Sequence, residues 1–164
     1  MQKAFFLNTS KVFKHNINMK KIIYNFGLCM LLIACGNSKI TNSIKVNNSD
    51  ELNKAIDSSE AGDQIILANG IWRDVQIKFR GKGTKDNPII LKAETAGKVT
   101  IEGESYLKFG GEYLVVEGLH FKNGFSPSNT VIDFKISNKE AADEISNNCK
   151  VTNCVIEDFN KPKR

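Results

Sequence analysis

From residue 64 onward the chain repeats one pattern: three to five apolar or alternating positions, then a break, most often at Gly, Asn, Asp or Pro. Such runs occur at 64–68 (QIILA), 75–79 (VQIKF), 89–93 (IILKA), 99–102 (VTIE), 106–109 (YLKF) and 113–117 (YLVVE). They continue at 119–121 (LHF), 131–134 (VIDF), 150–152 (KVT) and 154–158 (CVIED). Val, Ile and aromatic residues with period-two alternation mark strands, here short ones. Ahead of them, Leu52, Ala55 and Ile56 follow helical spacing, and Asn48 with Glu51 three positions on resembles a capping box. The spacing predicts a short helix over about 49–58, with Gly62 opening the turn into the first strand.

No long amphipathic helix lies between the strands, which excludes βαβ units. Few spacings suit two-residue hairpins. The stretch 81–87 (GKGTKDN) reads as a corner loop. Short strands joined at corners fit two architectures. One is a parallel β-helix, in which each coil buries its inner face only by stacking on the next. The other is a small β-sandwich or barrel. A β-helix must also cover its first coil, a role the helix at 49–58 can fill. No comparable cap follows 158, so further coils are expected downstream.

The leader changes the picture of charge and place. Lys20 and Lys21 precede a 13-residue apolar run, Ile22 to Ala34, too short for a bilayer span of roughly 20 residues. This is the layout of a secretion signal. The run ends Leu-Ile-Ala-Cys-Gly, which looks like a bacterial lipobox with Cys35 as the lipidated residue. Residues 1–35 therefore read as an upstream extension plus lipoprotein signal, with Met19 as the natural start. Residues 36–48 read as a polar tether, and 49–164 as the folded body. The expected location is the bacterial cell envelope, lipid-anchored to the outer membrane or facing the periplasm. Of the 23 basic residues, five (Lys3, Lys11, Lys14, Lys20, Lys21) lie in the leader and no acid precedes Asp50. The mature part thus carries 18 basic and 18 acidic residues. The basic pI belongs to the leader, and a nucleic-acid partner is not expected. Cys149 and Cys154, five apart on an extended chain, point to opposite faces, so two free buried cysteines are expected rather than a bridge.

Candidate chemistry is thin. Lys78, Arg80, Lys82 and Lys85 cluster around one loop and suit a solvated corner, with Arg80 and Lys82 the weak candidates for touching substrate carboxylates. Trp72 could stack on a sugar, although packing at a corner of the first coils suits it better. Lys92, Lys108 and Lys122 could align into a basic ladder, yet interleaved Glu94, Glu102, Glu104 and Glu117 favour a mixed face. His120, the one histidine after the leader, suits packing better than acid–base work. Asp133, Glu157 and Asp158 could bind calcium only if the fold gathers them.

Six ordered segments carry a resemblance: 62–72 (GDQIILANGIW), 81–88 (GKGTKDNP), 89–97 (IILKAETAG), 99–103 (VTIEG), 113–124 (YLVVEGLHFKNG) and 149–160 (CKVTNCVIEDFN). Together they resemble the N-terminal part of the chondroitinase B-like polysaccharide lyases, which include many alginate lyases. The resemblance implies an all-β, right-handed parallel β-helix with a short N-terminal capping helix, here incomplete. It implies β-elimination on an acidic polysaccharide, alginate first and chondroitin or dermatan sulfate second, by a monomer. In that family a calcium ion meets the uronate carboxylate, a lysine takes the C5 proton and an arginine assists the leaving oxygen. Those groups lie on coils downstream of the matched segments, so no catalytic or calcium-binding role falls on a residue of this sequence. The competing reading is a non-catalytic β-helical surface lipoprotein that binds carbohydrate.

Overall fold

The computed structural model describes residues 41–137 and 145–160. Cys35 and the leader lie outside the described residues. Strands are β1 (Ser43–Val46), β2 (Gln64–Leu67), β3 (Gly70–Arg73), β4 (Gln76–Lys82), β5 (Ile89–Ala93), β6 (Val99–Glu104) and β7 (Tyr106–Glu112). They continue as β8 (Leu114–Glu117), β9 (Leu119–Phe125), β10 (Ile132–Asp133), β11 (Ser146–Asn147), β12 (Lys150–Thr152) and β13 (Val155–Phe159). One helix, α1 (Ser49–Asp57), separates β1 from β2.

Apart from β1 and β2, which α1 separates, consecutive strands do not pair with each other. Sheet A stacks β1, β2, β5, β8 and β12; sheet B stacks β3, β6, β9 and β13; sheet C stacks β4 on β7, with β10 and β11 on the far side of β7. All of these pairings are parallel. The chain visits the sheets in the order A, B, C and then returns, which is a parallel β-helix and not a sandwich of hairpins. Register gives the coil length. Gln64 pairs with Ile90 and Ile90 with Val115, offsets of 26 and 25 residues. Val115 pairs with Lys150, an offset of 35. The extra ten residues enter on sheet C. There β10 pairs with the start of β7 and β11 with its end, so twelve residues of the chain lie between partners that have only two residues between them on β7. An antiparallel bridge joins Lys135 and Ile145.

Corners between strands are as short as one residue in the left-handed conformation. Gly118 (φ 77°) and Asn153 (φ 53°) occupy one such column, and Tyr113 (φ 50°) and Asn148 (φ 54°) another. Asn tolerates this conformation better than most residues. Gly111 (φ 112°) is more constrained still, because a Cβ there would collide with the Gly81 carbonyl on the coil below.

The interior is built from columns of like side chains. Ile65, Leu91 and Val116 stack on sheet A, and Trp72, Ile101 and Phe121 on sheet B. On sheet C, Phe79, Phe109 and Phe134 stack, with centroids 6.1 and 5.0 Å apart. Strands this short expose only two or three inward residues each, so burial comes from the coils above and below. Buried Ser105 ties the first two coils together. Its hydroxyl donates to Glu102 O (2.6 Å) and accepts from Val75 N (2.9 Å).

The N-terminal end is covered as expected, with two differences. Helix α1 lays Leu52, Ala55 and Ile56 against β1, β2 and β4. Glu51 N donates to Asn48 Oδ1 (2.9 Å), but the Glu51 carboxylate reaches back to the Asn47 amide (2.8 Å), one residue earlier than a capping box requires. The second difference corrects the tether reading of 36–48. Its last part is β1, in register on β2, with Val46 fully buried. The alternation Ile44, Val46 was hidden among Asn, Ser and Lys.

Candidate functional site

Each sheet turns one row of side chains outward, and these rows are where a long polymer could lie. On sheet B the charged residues are Arg73 and Glu102, paired in register, and Lys122 and Glu157, likewise paired, with a bulge between the two pairs. Arg73 Nη2 meets Glu102 Oε2 at 2.8 Å. Glu157 Oε2 takes both His120 Nε2 (3.0 Å) and Lys122 Nζ (3.3 Å). These contacts hold the Glu157 carboxyl below the usual carboxylate range, Lys122 contributing most. His120 therefore sits on the outer face of sheet B against Glu157, not in the core. On sheet A, Lys45 Nζ meets Glu94 Oε1 at 2.6 Å, and Asn69 N donates to Glu94 Oε2 at 3.0 Å. Both lower the Glu94 pKa, Lys45 first. Asn153 Nδ2 donates to Glu117 Oε1 at 3.0 Å. Faces A and B are thus mixed and largely self-neutralised.

Sheet C differs. Its outward positions are Gln76, Lys78, Arg80 and Lys82 on β4, and Tyr106, Lys108, Gly110 and Glu112 on β7. Of the expected corner cluster, Lys78, Arg80 and Lys82 lie on a strand, because β4 runs on through Gly81 to Lys82, and Lys85 lies in the corner that follows. Gly81 stays extended there, directly opposite Gly111. Lys78 stands beside Lys108, and Lys82 beside Glu112. The Lys108 ammonium lies 5.1 Å from the Tyr106 ring centroid, and Tyr106 OH is 3.1 Å from Gln76 Oε1. A crevice of about 420 Å³ opens alongside, lined by Asn53, Ile56, Asp57, Lys78 and Arg80.

Other expectations resolve individually. Trp72 is 7% exposed and its Nε1 donates to Ala68 O (3.0 Å), so its ring is not available for sugar stacking. It packs at the corner after β2, where an indole can bury its face and keep one hydrogen bond. Lys92, Lys108 and Lys122 fall on sheets A, C and B respectively, so they form no ladder. Asp133 lies on sheet C while Glu157 and Asp158 lie on sheet B. Among the described residues no three His, Cys, Asp or Glu side chains gather as a metal site. Cys149 and Cys154 are free and half-buried. Burial raises the Cys154 thiol pKa. The juxtaposition of Lys78 with Lys108 was not visible in the sequence. It depends on a 30-residue register, and only the recurrence of an alternating lysine in IKF and LKF hints at it.

Comparison with known proteins adds a family. The chondroitinase B family model matches residues 46–164. The structure resembles the PL6 family alginate lyase AlyGC, with 38% identity and a TM-score of 0.64 over 70% of this chain and 15% of that one. It also resembles the PL6 family polysaccharide lyase Pedsa3628 from Pseudopedobacter saltans, with 44% identity and a TM-score of 0.57 over 69% of this chain and 24% of that one. A mannuronic acid specific polysaccharide family 6 lyase from human gut microbiota shares 29% identity, with a TM-score of 0.65 over 74% of this chain and 28% of that one. The chain thus spans between 15% and 28% of the length of these lyases. No curated protein matches it.

Proposed function

The chain belongs to the chondroitinase B family, and from that membership we propose that the protein cleaves an acidic polysaccharide by β-elimination at uronate residues, with alginate as substrate. One observation carries this reading: the family match extends from Val46, the last residue of β1, to residue 164. Of the similar lyases, one is an alginate lyase and one is mannuronic acid specific, which supports alginate over chondroitin or dermatan sulfate.

On this proposal the coils described here have an architectural part. They close the N-terminal end of the stack and set the register on which further coils are laid. The general base, the group assisting the leaving oxygen and any calcium ligands belong, on this proposal, to coils after residue 160. We further propose that Cys35 is lipidated and holds the protein at the bacterial envelope.

The test is direct. The full polypeptide is incubated separately with alginate, chondroitin sulfate and dermatan sulfate, and the ultraviolet absorbance of the unsaturated uronate product is followed. Absorbance rising on alginate is the expected result. No rise on any of the three overturns the lyase reading, and polymer binding without cleavage would favour a carbohydrate-binding lipoprotein. For the anchor, Cys35→Ser should move the protein from the membrane to the soluble fraction of the producing cell. Retention in the membrane would refute lipidation at that residue.

A further inference from the structure

We propose that the outward face of sheet C, centred on Lys78 and Lys108 with Arg80 at its rim, is a binding groove for the carboxylates of an acidic polysaccharide. The proposal rests on the polyuronate reading for the identity of the ligand, though not for the geometry of the groove.

Three features of this face point to an anion. First, Lys78 and Lys108 are direct neighbours in register on β4 and β7, hence about 4.8 Å apart at the backbone. Like charges placed directly opposite are destabilising, and no acid stands between them. On sheet B charges that stand opposite each other differ in sign, Arg73 with Glu102 and Lys122 with Glu157. The next residue along the sheet C row is Asp133, which flanks Lys108 on the side away from Lys78. A ligand carboxylate between the two ammonium groups would supply the opposite charge that sheet B provides with its own glutamates.

Second, one of the two cations is held in place before any ligand arrives. The Tyr106 ring supports Lys108 at 5.1 Å, and Gln76 on β4 fixes the Tyr106 hydroxyl at 3.1 Å. A lysine ordered in the free protein loses less side-chain entropy on binding. Third, a crevice lies beside the pair. The crevice between α1 and β4 adds Asn53 and Asp57 as polar wall and Ile56 as apolar floor. Arg80 lies two residues from Lys78, roughly 6.6 Å along the strand, so the positions run both along and across the strands. Asp57, Asp133 and Glu112 border the patch, which confines its positive potential to the Lys78–Lys108–Arg80 centre.

The experiment uses the full polypeptide and a defined oligouronate of about six residues as probe. Affinity is measured by calorimetry at several salt concentrations for the parent, Lys78→Gln/Lys108→Gln and Lys92→Gln, the last on sheet A. The double variant should bind about tenfold or more weakly, with a shallower dependence on salt, because fewer counterions are released. Lys92→Gln should bind like the parent. In parallel, lysine acetylation footprinting of the unsubstituted protein should show Lys78 and Lys108 protected by the oligouronate and Lys92 not, so a variant that folds poorly leaves the question answerable. Unchanged affinity in the double variant, or no protection of either lysine, overturns the proposal. Cleavage of alginate with no protection would leave the lyase reading standing and sink only the groove. Protection with no cleavage would do the reverse.

Discussion

At the scale of single residues, the molecule depends on columns. Phe109 is the middle of the Phe79–Phe109–Phe134 stack and has no exposure to solvent. Phe109→Ala should lower stability by about 3–5 kcal/mol, since the neighbouring coils are held by their own ladders and cannot collapse into the space. Urea unfolding checks this. Gly111→Ala should be worse than its small volume implies, because the new methyl meets a backbone carbonyl and not a movable side chain. The exposed carboxylates give a separate prediction. Glu157, Glu94 and Glu51 are all held below their ordinary pKa, by Lys122, by Lys45 and by the Asn47 amide respectively. A carboxylate depressed in the folded state stabilises it above the unfolded value, about 4.3, and loses that contribution as pH falls through the folded value. The melting temperature should therefore drop as pH is lowered below about 4.5, and Glu157→Gln should flatten part of that slope. An unchanged slope in this variant would show that Glu157 gains nothing from its neighbours in solution. The partnerships of Glu157 and Glu94 were not readable in the chain, because Lys122 meets Glu157 across 35 positions and Lys45 meets Glu94 across 49.

Elements show why part of the fold was readable and part was not. The strands that alternate cleanly, β2, β5, β8 and β9, announce themselves, since each carries at least two fully buried side chains on one face. Strand β3 does not, because Gly70–Arg73 has one buried residue, Trp72. Strand β1 hides for the opposite reason. Its alternation is intact, but its polar flanks read as tether, and its outward face stays polar because the strand lies at the edge of sheet A. The capping helix was visible from its Asn48 cap and its buried stripe, both of which act locally. Asn48→Ala should cost about 1 kcal/mol, read as a shift in the urea midpoint. Val46→Asp should cost more, because it places a charge over Leu67 on the first full coil, where Val46 is 1% exposed. Comparable losses for the two substitutions would mean that β1 is dispensable and α1 alone covers the end.

For the whole molecule, the decisive quantity is how many coils share the load. A parallel β-helix is nearly one-dimensional, and each coil owes its stability to the two beside it. Strands β5, β6, β7 and β8 have a partner on both sides, whereas among the described residues β12 and β13 are paired on one side only. The inward side chain of β13, Ile156, is 53% exposed, while Phe121, the residue below it in the same column, is fully buried. Amide exchange reads this difference directly, because protection follows the free energy of local opening. If the polypeptide folds with these coils alone, β5 and β8 should be the slowest to exchange and β12 and β13 the fastest of the sheet strands. If further coils are stacked on β12 and β13, as the proposed lyase requires, Val151 and Ile156 should be protected as strongly as Val116 and Phe121. Comparing the 164-residue chain with the product of the complete gene separates the two cases. The lyase reading requires the second pattern in the complete product, because a groove for a polymer and a catalytic centre carried on later coils both need this stack to continue in register.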